Sequence, residues 1–114
     1  MADDCIFCKI LAGEIPSTKV HETENTYAFE DIHPVAPVHV LIIPKKHIPT
    51  LNDLTVDDTG LIGEMMLAAK DVAKSKGVDA SGYRVLFNAN SDAGQEVFHI
   101  HLHVLGGHRL GPMG

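Results

Sequence analysis

Apolar residues fall along this chain in two rhythms. Val38 to Ile43 is a β-branched, apolar run between Pro37 and Pro44; it fills both faces of an extended chain, as a central strand does. Leu61, Met65, Ala69 and Val72 recur near helical spacing, and Ile62, Met66 and Ala73 widen the stripe. This predicts one long helix over Thr55 to Lys76. Thr55 with Asp58 is a capping-box signal, and Lys74, Lys76 and Gly77 suit the other end. So wide a stripe fits a core helix, or a helix that also meets a second subunit.

Shorter elements surround these two. Phe7 to Ala12, stopped by Gly13 and unable to continue through Pro16, reads as a short helix. Val20 to Glu22 and Tyr27 to Asp31 read as a hairpin around Thr23 to Asn25. Tyr83 to Asn88 and Val97 to Leu105 are the remaining strands, separated by the turn-rich loop Asn90 to Gln95. Strands grouped around one long helix predict an α+β fold with a mostly antiparallel sheet. At 114 residues, residues 1–114 are expected to form a single domain.

Charge narrows the partners. A formal charge of -6, with Arg84 and Arg109 as the two arginines, leaves no broad basic surface for a nucleic-acid backbone. No apolar run approaches a membrane span, and Met1-Ala2-Asp3-Asp4 is acidic where a signal peptide is basic. These features predict a cytoplasmic protein with neither nucleic-acid nor membrane partners. Cys5 and Cys8, in CIFC, are too close for a useful disulfide, so metal binding and redox chemistry are the readings they open.

The stretch FHIHLHVLGG carries the chemistry. Alternation puts His99, His101 and His103 on one face of a strand, with Ile100, Leu102 and Val104 on the other. Such positions on a solvated face are usually Thr, Lys or Glu; three histidines argue for catalysis. His99 and His103 would lie roughly 13 Å apart at their backbones, too far for one metal held by this strand alone. Neutral imidazole, with an ordinary pKa of about 6.5, can attack phosphorus without a strong base. Just upstream, Gly94 lets a ligand approach, and the amides of Gly94 to Glu96 could face phosphate oxygens, although a plain turn is the simpler reading.

With AGQEVF before it, HIHLHV resembles the signature of the histidine triad (HIT) family. CIFCKILAGEIPSTKVHE, FEDIHPVAPVHVLIIPKKHI and FNANSDAGQ match in the same order, and the LGG after the triad resembles the Hint branch more than the Fhit branch. The resemblance implies a HIT-like five-stranded sheet with one long and one short helix, continued across a homodimer. It implies a purine nucleoside phosphoramidate hydrolase, acting at an α-phosphate through a covalent nucleotidyl-histidine and releasing AMP or GMP and an amine. By resemblance His101 is the nucleophile, His103 contacts phosphate, and His39 joins a proton relay. Asn88, Gly94, Gln95 and Glu96 would hold phosphate oxygens, and Asp31 the ribose hydroxyls. Phe7, Ile10, Phe29, Ile32 and Leu41 would line the purine pocket.

The resemblance also implies a structural zinc on Cys5, Cys8, His47 and His99, with unpaired or reactive thiols as the alternative; no organic cofactor is implied. Two departures bear on the leaving group: Glu96 stands where animal Hint-like enzymes carry serine, and the tail after Gly107 lacks their tryptophan. Glu30 also replaces a histidine near the ribose. The competing functions are a dinucleoside polyphosphate hydrolase or nucleotide phosphorylase, and a nucleotide- or zinc-binding regulatory module with vestigial hydrolysis.

Overall fold

The computed structural model describes residues 4–114, so Met1, Ala2 and Asp3 of the acidic start lie outside the described residues. In chain order the elements are α1 (Ile6–Leu11), β1 (Lys19–Glu22), β2 (Thr26–Glu30), β3 (Val38–Pro44), α2 (Thr59–Ser75), β4 (Tyr83–Leu86) and β5 (Leu102–Gly106). The five strands form one sheet in the order β1-β2-β3-β5-β4. Every pairing is antiparallel, so the α+β architecture is as the sequence predicts.

The two faces of β3 bury different things. Val40 and Ile42 face α2, packing with Met65, Ala69 and Val72 of the helix and with Ile100, Leu102 and Val104. Leu41 and Ile43 face the other way, into a smaller cluster with Cys5, Phe7 and Phe29. The strand is therefore apolar on both sides because both sides are covered. The smaller cluster is closed by α1, whose first turn is held by Cys5: its sulfur accepts the Cys8 N–H at 3.3 Å.

Three boundaries differ from the sequence reading by more than one residue. The Thr55–Asp58 capping box exists, but it closes a 3-10 turn at Val56–Asp58, and α2 starts after it at Thr59. Strand β4 stops at Leu86 and does not reach Asn88. Strand β5 begins at Leu102, so His99 and His101 precede the ladder. The cause is the partner: Ile42 pairs with Leu102, and the next same-face position on β3 is Pro44, which has no N–H to give. The chain before Leu102 bonds elsewhere, Ile100 N–H donating to Ile48 O at 2.8 Å. The side chains still alternate there, since Ile100 lies in the α2 core.

Ile42 is fully buried in that core. Ile42→Ala should lower unfolding free energy by about 2–5 kcal/mol, while Val56→Ala, at an exposed position, should change it by less than about 0.5 kcal/mol. Urea titration at equal m-values measures both.

Candidate active site

A cleft of about 280 Å³ opens on the face of the sheet opposite α2. Phe7 and Ile10 of α1, Phe29 of β2 and Leu41 of β3 make its apolar wall; Asp31, Ile32, Asn88, Gly94, Glu96, His101 and His103 also line it. The structure thus brings together eleven of the residues singled out from the sequence. Ile6, Glu30 and Val97 line it too, as do Ile15, Pro16 and Ser17 on the irregular chain between α1 and β1. Ile15, Pro16 and Ser17 lie in the matching segment CIFCKILAGEIPSTKVHE, but nothing in it marked them as cleft residues.

Gln95 does not line the cleft. Its side chain is buried, with Oε1 accepting from Asn90 N–H at 2.8 Å and Nε2 donating to Pro49 O and Val97 O at 2.7 and 3.1 Å. It clamps the loop from behind. The loop also uses two of its own amides, Gly94 N–H on Ser91 O and Gln95 N–H on Asn90 O, so Gly94 to Glu96 is not a row of three free donors. Gly94 sits at φ 83°, a left-handed conformation that suits glycine.

Backbone groups decide which nitrogen of each imidazole carries its proton. His101 Nδ1 lies 2.9 Å from His99 O; a carbonyl only accepts, so Nδ1 is protonated and Nε2 holds the lone pair. Phe7 packs edge-on against this ring, with centroids 5.1 Å apart, which limits its rotation. His39 Nδ1 accepts the Val35 N–H at 3.1 Å, so its proton is on Nε2. That atom lies 2.9 Å from His103 Nδ1 and 3.3 Å from Asp31 Oδ2. His103 therefore accepts at Nδ1 and carries its proton on Nε2, a buried atom with no hydrogen-bond partner among the described residues. The cleft presents a lone pair on His101 and an N–H on His103.

Protonation follows from this burial. Desolvation pushes the pKa of His39 and of His101 below the usual imidazole value, opposed by the charge of Asp31. Burial, with His101 and His39 alongside, lowers His103 to about 4. All three rings are neutral near pH 7, the state a histidine nucleophile needs.

His99 has a different setting. It is wholly buried, and its Nε2–H donates to Pro44 O at 2.7 Å, which turns the Nδ1 lone pair toward Cys5 Sγ at 3.3 Å and Cys8 Sγ at 3.5 Å. His47 Nδ1 lies 3.2 Å from His99 Nδ1 and 3.4 Å from Cys8 Sγ. Bonds of about 2.0 Å to nitrogen and 2.3 Å to sulfur give a tetrahedron with edges of roughly 3.3–3.8 Å, close to these separations. The four residues can hold a metal ion, and the main-chain bond to His99 is the outer contact that orients such a ligand. Burial and the neighbouring Cys5 push the Cys8 thiol up to about 11, a preference a bound cation reverses. Asp31, His39 and His103 also lie close enough to share an ion, but the atom between them, His39 Nε2, holds a proton.

A neutral, backbone-oriented imidazole in the wall of an apolar cleft is the form of histidine that nucleophilic chemistry on a small ligand requires. The chain belongs to the HIT domain family, whose profile matches residues 12–110. It is 47% identical over 113 residues to the purine nucleoside phosphoramidase of Escherichia coli (strain K12), covering 99% of this chain and 95% of that protein. A HIT family hydrolase from Legionella pneumophila Philadelphia 1 superposes with a TM-score of 0.92 at 54% identity, over 95% of this chain and 96% of that one. A HIT family hydrolase from Clostridium thermocellum reaches 0.95 at 44% identity, over 98% and 97%.

Stability should depend on the neutral histidines with a definite sign. Their folded pKa values lie below the unfolded value of about 6.5, so as pH falls the unfolded chain takes up protons that the folded chain refuses. Stability is then highest above pH ~6.5 and is lost progressively down to pH ~4, where His103 titrates in the fold. Urea midpoints measured from about pH 7.5 to about pH 5 should fall, and His103→Gln should flatten the fall; an unchanged slope in the variant would contradict the assignment.

Proposed function

We propose that the protein is a purine nucleoside phosphoramidase, a hydrolase that cleaves the P–N bond between a nucleoside 5′-phosphoryl group and an amine. The observation that carries this reading is the His101 Nδ1–H bond to His99 O, which leaves Nε2 unprotonated at the cleft wall. The near full-length likeness to the Escherichia coli phosphoramidase supports the substrate class. His101 Nε2 attacks phosphorus, the P–N bond to the amine breaks, and the amine departs after gaining a proton from the histidine-lined site. Water then attacks the nucleotidyl-histidine, its P–N bond breaks, and the nucleoside monophosphate leaves.

The other residues have roles that fit their positions. His103 Nε2–H, buried and without a partner among the described residues, donates to a phosphoryl oxygen as charge builds there. Asn88, Gly94 and Glu96 border the phosphate end. Asp31 offers acceptor oxygens for the ribose diol. Phe7, Ile10, Phe29, Ile32 and Leu41 form an apolar slot for a purine.

We read the Cys5, Cys8, His47 and His99 set as a structural zinc site, because four protein ligands of this softness and spacing suit that ion and leave no open position for chemistry. We also read residues 1–114 as one domain that works as a homodimer. Met66 and Leu67 of α2 and Tyr83 of β4 are exposed, and an apolar helix face beside an edge strand suits pairing with a second copy. Two free cysteines fit the reducing cytoplasm, and no helix among the described residues is long and apolar enough to cross a membrane.

Two measurements test these roles. Release of AMP from an adenosine phosphoramidate should fall by roughly a thousandfold or more in His101→Ala, with nucleotide affinity largely retained; residual turnover with lost binding would rule out the nucleophile role. Metal analysis should find about one zinc per chain, lost in Cys8→Ser, and chelation should lower the melting temperature. A metal-free protein as stable as the native one would overturn the structural assignment.

A further inference from the structure

The two glycines that follow the histidines have different neighbours. Gly106 closes β5, paired with Val38 on one side and Tyr83 on the other, so two strands fix its position. Gly107, next along the chain, has a φ of +100°, which suits glycine alone. A Cβ there would lie 2.7 Å from Pro37 Cβ, 3.2 Å from Pro37 Cγ and 3.4 Å from Val38 N. Pro37 ends the loop between β2 and β3, Asp31 to Pro37. That loop touches His39 twice: Asp31 N–H donates to His39 O at 3.0 Å, and Val35 N–H to His39 Nδ1 at 3.1 Å. Between Val35 and the glycine contact the chain has little freedom. Ala36 is buried, Pro37 has a locked φ, and the residue before a proline is held extended.

We propose that Gly107 is a positioning residue for the histidine pair: its missing side chain lets Pro37 close on the end of β5, and that contact sets the Val35 N–H that selects the His39 tautomer. Carbon atoms pack at about 3.5–4.0 Å, so a Cβ on Gly107 forces the loop outward by roughly 1 Å. Gly106 is held by two strands and cannot give by that much, whereas Pro34, Val35 and Pro37 are exposed and can move. Such a shift stretches the 3.1 Å bond from Val35 beyond the range in which a hydrogen bond holds. His39 Nδ1 is then free to carry the proton. In that state His39 Nε2 accepts from His103 Nδ1, 2.9 Å away, and His103 Nε2 changes from a donor to a lone pair. Each ring keeps one proton, moved from Nε2 to Nδ1. The polarity of the pair therefore depends on a contact between two residues that do not line the cleft. The kinetic consequence rests on the phosphoramidase reading; the tautomer does not.

The test compares the native protein with Gly107→Ala, Pro37→Gly and the double variant. Nitrogen-15 spectra of the histidine rings should show native His39 protonated at Nε2, and a substantial share of Gly107→Ala molecules protonated at Nδ1. In the same variant kcat for adenosine 5′-phosphoramidate should fall roughly tenfold or more, with KM changed by less than about threefold. Gly77→Ala controls for backbone strain: its φ is +73° and its added Cβ meets nothing within 4 Å, so kcat and the His39 tautomer should stay native. Pro37→Gly removes both carbons that the new Cβ meets, so in that background the Gly107→Ala effect on tautomer and kcat should vanish. A folded Gly107→Ala with the native tautomer, or an effect undiminished in the Pro37→Gly background, would overturn the proposal. If Gly107→Ala does not fold, the double variant decides: one that folds with the tautomer of Pro37→Gly supports the contact, and one that stays unfolded rejects it. If the native protein does not hydrolyse the phosphoramidate, the functional reading fails, and the spectra still decide whether Gly107 positions His39.

Discussion

The hydrogen bond between a buried imidazole and a main-chain group underlies both halves of this site. An unsatisfied polar atom in the interior costs about 1–3 kcal/mol, so each ring needs a partner, and the partner chosen also decides where the proton sits. Pro44 O holds His99, His99 O holds His101, and Val35 N–H holds His39. Two carbonyls leave Nδ1 of His99 and Nε2 of His101 as lone pairs; one amide makes Nε2 of His39 a donor. Three bonds that look like ordinary satisfaction of polar groups therefore fix which ring atom is a lone pair and which a donor among rings of the same chemistry.

The sheet makes that distribution possible by keeping its two faces separate. Strand β5 pairs with β3 and β4 at once, Leu41 and Leu86 flanking His103 in register, so its side chains have no freedom to slip between faces. The face that meets α2 holds the apolar core, with Thr26 buried at its edge; the other meets α1 and carries His39 and His103 beside the cleft. The core supplies the rigidity, and the desolvated opposite face supplies the shifted pKa values.

Much of this was legible in the chain. The β-branched run Val38 to Ile43 between two prolines suits a buried strand, and the helical spacing of the stripe Leu61 to Ala73 suits one helix, so β3 and α2 were found. The alternation around the three histidines held even where the ladder did not form. Strand β5 was overextended because its length depends on where its neighbour meets a proline, information that resides in a distant segment. Gln95 looked like a ligand contact and is a clamp, since a side-chain amide reads the same in either role until its partners are known. Val35 escaped notice for a simpler reason: its contribution is a main-chain N–H, which no residue type announces. The pairing of Cys5 and Cys8 was visible from spacing, whereas their company with His47 and His99 came from resemblance to a family.

The six-residue α1 has one more consequence. A helix of that length has no stability of its own in water, and Phe7 is its one buried side chain, touching the rings of Phe29, His99 and His101. The segment from Cys5 to Leu11 therefore owes its helical form to the packing of Phe7 on the sheet and not to its own propensity. Since Phe7 and Ile10 are also a wall of the cleft, the shape of the cleft depends on tertiary packing of a segment that could not hold that shape alone.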